Sequence, residues 1–170
     1  MDNLSRIFKK ECFPISLILI LAFARLIPHP PNFTPIIAVA IMSSYFFRNI
    51  YLSFVVIIIS MLLADIFIGF YGHIFFVYLS LLLITAVFTQ IGRTIKIGNL
   101  FIFGFFGSLI FYLVSNFGVW IVSDMYEKNL IGLINCYLFA IPFFVNTLLS
   151  TIFYSYTAFL VNYFYYKKFA

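Results

Sequence analysis

The chain alternates long apolar stretches with short polar breaks, and the breaks mark out the elements. Residues 13–27, 34–47, 51–70, 73–91, 98–123 and 141–164 form apolar runs that approach or exceed the roughly 20 residues a helix needs to cross a hydrocarbon layer. The pattern predicts an all-α fold: six transmembrane helices in one bundle that takes up residues 1–170. The longest polar interruption is Arg25–Ile36, which holds Pro28, Pro30, Pro31 and Pro35. Each proline lacks an N–H and fixes its own φ, and each pushes the preceding residue out of the α region. One helix should therefore end near Ile27 and the next begin near Thr34, with Thr34 as cap and Pro35 as first helical position. Tyr71-Gly72 reads as a tight turn, and Gly92-Arg93 closes the fourth helix. The second run is short, which suits a helix packed inside the bundle, whereas the fifth is long enough to tilt. A weaker apolar stretch, residues 130–140, precedes the last span.

Composition supports a membrane chain: 65% of residues are hydrophobic and only 9% charged, far below the charge of a soluble domain. No polar linker or tail suggests a soluble appendage. The net charge of +5 does not indicate nucleic acid, because the Lys and Arg residues sit at helix ends. With the N-terminus in the cytoplasm, Arg6, Lys9, Lys10, Arg48, Arg93, Lys96, Lys167 and Lys168 all lie inside. Lys128 alone falls in an outer loop, and Arg25 lies near the outer end of its helix. That asymmetry places both termini in the cytoplasm. Ala22-Phe23-Ala24 has the small-x-small form of a signal cleavage site, but cleavage would leave an odd number of spans. The 25 Phe and 12 Tyr match the bias of an AT-rich coding sequence, so most aromatics are read as lipid-facing filler. Cys12 and Cys136 fall at opposite membrane faces, too far apart for a disulfide.

Ionisable groups inside a membrane mark functional candidates, since each costs about 2.5–3.5 kcal/mol at mid-helix on insertion scales. Arg25 on the first helix and Asp65 on the third come late in spans that run outward, so they share a depth. A structural ion pair and a charged cavity floor both fit. Asn116 and Trp120 lie one turn apart on the fifth helix, again in its outer half. Asn146 comes early in the last helix, which runs inward. Alone, each asparagine would most simply bond a neighbouring helix. Their common depth with Arg25 and Asp65 predicts a polar pocket open to the outside, with His29 and Asn32 in a gating loop above it. On the inner half, Ser43, Ser44, Thr85, Thr89, Thr151 and Ser155 are expected to bond back to their own helices. Gly104, Gly107 and Ser108 form a small-residue strip for close helix contact or for a partner. No catalytic residues, metal ligands or cofactor are expected: His29 and His73 lie in different loops without metal spacing, and no nucleotide motif occurs. A hydrolase built from Ser115 and either histidine would need to be forced.

Arg25–Ile36 with Ala38 and Ala40, Asp65, Asn116 with Trp120, the Tyr126–Gly132 loop, and Pro142-Phe143-Phe144 with Asn146 together resemble an uncharacterised family of small six-helix membrane proteins. That family is distantly similar to the substrate-binding S-components of energy-coupling-factor vitamin transporters. The resemblance implies a multi-pass protein of the bacterial inner (cytoplasmic) membrane that takes up a small vitamin-like solute and docks on a transmembrane coupling subunit with ATPases. S-components usually carry alanines four apart on the first helix as the coupling surface; here Ala22 and Ala24 are two apart. Arg25, Asp65, Asn116, Trp120 and Asn146 would then contact the solute. The alternatives are a non-transporting scaffold subunit of an envelope or cell-shape complex and, further off, an intramembrane enzyme.

Overall fold

A helix that is apolar on every side belongs in the interior, and the helix Ile36–Phe47 (α2) is buried along its whole length except at Tyr45 and Phe46. In this computed structural model, which describes residues 3–91 and 95–169 with side chains over 12–91 and 95–167, the other five helices surround α2. They are α1 (Asn3–Phe23), α3 (Ile50–Ile68), α4 (Ile74–Ile91), α5 (Leu100–Val122) and α6 (Leu130–Phe169). The fold is all-α with six helices. Four of them (α3, α4, α5 and α6) are long and apolar enough to cross a membrane, while α1 and α2 contribute shorter apolar stretches. Arg93, expected to close the fourth helix, lies outside the described residues, as do the side chains of Arg6, Lys9, Lys10 and Lys168.

The helices alternate in direction. One end of the bundle brings together Pro14 midway along α1, Tyr45–Arg48 at the end of α2, and Asn162 and Tyr166 late in α6. The opposite end gathers Arg25, Ile36, Tyr71, His73, Asn116 and Phe143. Outward-facing side chains on the long helices, such as Tyr51, Val55 and Ile66 on α3 and Phe101 and Phe105 on α5, remain exposed and apolar. That surface suits lipid rather than water. Interior hydroxyls are satisfied within and between helices. Ser43 and Ser44 donate to Ala40 O, Thr85 to Leu81 O, Thr89 to Thr85 O and Thr151 to Thr147 O. Ser44 also reaches Thr85 O across the α2–α4 contact, and Ser53 on α3 reaches Ser43 O. Ser155 departs from this expectation, since its buried Oγ has no partner.

Several boundaries differ from the sequence reading, among them the start of α1, at Asn3 rather than residue 13. First, α1 does not run to Ile27: it ends at Phe23 and passes into a single 3-10 turn, Ala24–Leu26. Second, α2 starts at Ile36, and Pro35 rather than Thr34 occupies its cap position, with no side-chain cap bond. A proline side chain has no acceptor, so the cap position makes no side-chain bond. Third, residues 130–140 are no separate stretch but the opening turns of one 40-residue helix, with Pro142 inside it. At 1.5 Å per residue α6 is about 60 Å long, well beyond the ~30 Å hydrocarbon layer. Gly132 makes that early start possible, because a Cβ there would lie 2.0 Å from Glu127 O.

The small-residue strip on α5 turns inward. A Cβ on Gly107 would lie 2.9 Å from Ile41 Cδ1 and 3.1 Å from Ile37 Cγ2, and Ser108 donates to Thr151 Oγ1 on α6. Of the two expected uses, the strip serves packing within the bundle. Gly107→Leu should therefore lower stability by about 1–3 kcal/mol through overpacking, while Gly98→Ala, which meets nothing within 4 Å, should leave it unchanged. Thermal unfolding of the detergent-solubilised variants checks both.

Candidate functional site

At about 18 Å, α2 is too short to fill the bundle from end to end. The chain before it cannot be helical because of its prolines, so a void forms above Ile36. This cavity has a volume of about 320 Å³. Its polar wall comes from Arg25, Asn32, Thr34, Tyr71, His73 and Asn116, and its apolar wall from Phe111, Tyr112, Phe143 and Phe144, among others. A second lobe of about 250 Å³ shares Asn32, Asn116, Val119, Ala140 and Phe143 with the first and extends toward Met125, Tyr126 and Cys136.

Arg25 and Asp65 meet as an ion pair, Nη1 to Oδ1 at 3.0 Å, with side-chain exposures of 8% and 0%. The approach is off-angle, so Oδ1 takes no well-directed hydrogen bond. Oδ2 is better held: Tyr78 Oη on α4 donates to it at 2.7 Å. Arg25 Nη1 also lies 3.2 Å from Met61 Sδ, and the Tyr71 side chain bonds the guanidinium. Arg25 lines the cavity whereas Asp65 stands behind the wall, so of the expected charged floor only the cation faces the void. Burial, with the Asp65 charge second and Arg25 opposing, raises the Tyr71 hydroxyl above its usual pKa. Burial lowers His73, favouring the neutral ring.

The remaining expected site residues divide. Asn116 lines both lobes; its Nδ2 donates to Tyr112 O at 2.8 Å, which turns Oδ1 away from its own helix. Asn32 also lines both, held at φ 59 in the left-handed region that asparagine tolerates. Trp120 lines neither lobe. Its Nε1 donates to Glu127 O and its ring packs on Phe117, which ties α5 to the following loop. Asn146 also stays outside both lobes, its Nδ2 bonding Pro31 O at 3.0 Å and fastening the proline loop to α6. His29 is exposed and bonds Pro30 O beside it, away from the cavity. Ser115 lines the cavity but donates to Phe111 O. Among the described residues no cluster of three His, Cys, Asp or Glu could hold a metal ion.

The sequence reading missed Tyr71, Tyr78, Thr34 and Thr147. Tyr71 and Tyr78 flank the same turn that follows Asp65, so the depth argument applied to the asparagines would have reached them. The sequence marks Tyr71 only as part of a tight turn and leaves Tyr78 among the abundant aromatics. Geometry and composition together describe an all-helical bundle of membrane character with a cavity at one end. The chain belongs to the family of unknown function DUF6580, whose model matches residues 6–170. No curated protein and no solved structure matches it.

Breaking the ion pair on one side strands a buried charge. Arg25→Met should cost about 3–5 kcal/mol, and adding Asp65→Leu should restore most of it; a double-mutant cycle in thermal unfolding reads the coupling. For His73, the folded pKa lies below the unfolded 6.5, so below pH 6.5 the unfolded state binds more protons. Stability should therefore fall as pH drops from 6.5 toward the folded pKa, and His73→Gln should reduce that slope in a pH series of melting curves.

Proposed function

We propose that the protein is a six-span membrane protein that binds a small organic solute in the cavity above α2 and serves its uptake, as an S-component-like subunit. One observation carries this reading: polar groups from the turn after α1, the proline loop, the α3–α4 turn and α5 converge on one void of ligand size. Pockets of this volume, mostly apolar with a few convergent polar groups, are the usual form of a small-molecule site. Non-helical backbone at membrane depth is tolerated where it lines a water-filled cavity, and the proline loop fits that description. In this reading α1 and α2 also cross the membrane, and both termini are cytoplasmic. Arg48 and Lys167, at the end opposite the cavity, support that orientation in a bacterial inner membrane. The chain has no nucleotide motif, so uptake driven by ATP would need a coupling subunit with ATPases.

Asn116 is the residue to test, because it reaches both lobes without holding the bundle together. Thermal-shift screening against vitamins, their precursors and nucleobases should find a ligand that stabilises by roughly 2.7 kcal/mol at a hundred times its Kd. Asn116→Ala should abolish that shift. A folded protein with no shift across the panel, or a shift indifferent to Asn116→Ala, would refute the reading and favour a scaffold subunit.

A further inference from the structure

The cavity wall constrains the chemistry of the solute, on the premise that the cavity is a binding site. Charge comes first. Among the described residues Arg25 is the cavity's one lysine or arginine, and Asp65 already neutralises it from behind. No carboxylate among them lines either lobe, so a cationic ligand would find no counter-charge. An anion would have to share Arg25 with a fully buried Asp65, and two like charges at one site oppose each other.

Hydrogen-bonding capacity comes next. A guanidinium has five N–H donors, and the protein contacts of Arg25 are Asp65, Met61 and Tyr71, the first two both through Nη1. Donors are therefore left for an acceptor in the cavity. Asn116 offers the reverse: its Nδ2 is engaged by Tyr112 O, while no hydrogen bond reaches its Oδ1 among the described residues. Its amide oxygen therefore calls for a donor. An acceptor and a donor on one small molecule are what an amide provides. Phe111, Tyr112, Phe143 and Phe144 supply an aromatic side of the wall, with the Tyr112 and Phe144 rings 5.1 Å apart. Aromatic walls of this kind favour flat rings.

We infer that the ligand is an uncharged, flat ring amide, with its carbonyl toward Arg25 and its N–H toward Asn116 Oδ1. Its size follows from volume: 320 Å³ is about twice the 150 Å³ cavity that holds benzene, which allows about a dozen non-hydrogen atoms.

Three sets of single-ring probes test this by thermal shift and native mass spectrometry at millimolar concentration: uncharged ring amides (uracil, 2-pyridone, 4-pyrimidinone), carboxylates (benzoate, nicotinate) and cations (benzylammonium, 1-methylpyridinium). At least one ring amide should bind about ten-fold tighter than any charged probe, the scale of one buried group left unpaired. Asn116→Ala, which removes the acceptor, should weaken that probe, and Asn116→Asp, which adds a counter-charge, should admit the cations. The inference is overturned if no ring amide binds, or if a charged probe binds as tightly. Binding of a charged probe that Asn116→Ala removes would overturn the ligand class while leaving the solute-binding reading intact. Silence of all three sets on folded protein would overturn both.

Discussion

The buried contact between Arg25 and Asp65 holds the cavity end of the bundle together. Neither charge would be stable at that depth alone, and the pair requires three chain segments to meet: the turn after α1, the last turns of α3, and Tyr78 on α4. A buried ion pair is weak evidence of net stability, because desolvation offsets much of the attraction. Its effect here is geometric. Each partner forbids the other from moving away without stranding a charge, so the wall of the cavity is fixed from behind. Arg25 can then present its remaining donors to the void with little freedom to collapse across it.

The short central helix supplies the second constraint. α2 packs against all five neighbours, yet it stops well short of the bundle's length. The prolines that end it also keep the loop above it from becoming helix. Space is therefore left above α2, and Asn146 secures the loop over that space through Pro31 O. At the other end the Phe13 and Tyr165 rings stack at 3.6 Å, near voids of about 300 and 330 Å³ that share Tyr45, Asn162 and Tyr166. A cavity at one end, polar on one side and aromatic on the other, follows from where the prolines fall.

Much of this was legible in the chain. Apolar run length and proline placement gave α2 to α5 to within a few residues, though α1 and α6 start well before the apolar runs at 13 and 141; the depth argument brought Arg25, Asp65 and Asn116 together, and Asn32 came from the loop above them. The misses have physical causes. Trp120 and Asn146 share the right depth, but sequence spacing does not say which neighbour a side chain will bond, and both found backbone carbonyls instead. Tyr71 and Tyr78 were hidden because tyrosine is abundant in the chain. Residues 130–140 read as a weaker apolar stretch apart from the last span, because a 40-residue helix is far longer than one crossing needs. The direction of the Gly104–Ser108 strip depended on helix rotation, which periodicity in an all-apolar segment does not define.

The central claim is that the void above α2 is water-filled and open to the outside of the cell. It is tested most directly by introducing Thr147→Cys, a cavity-lining position, into a background with Cys12 and Cys136 replaced by serine. A membrane-impermeant maleimide is then applied to intact cells. The account predicts labelling from outside, with Leu149→Cys, at an exposed apolar position on the same helix, left unlabelled in lipid. Labelling of Thr147→Cys only in inverted vesicles, or in neither orientation, would contradict it.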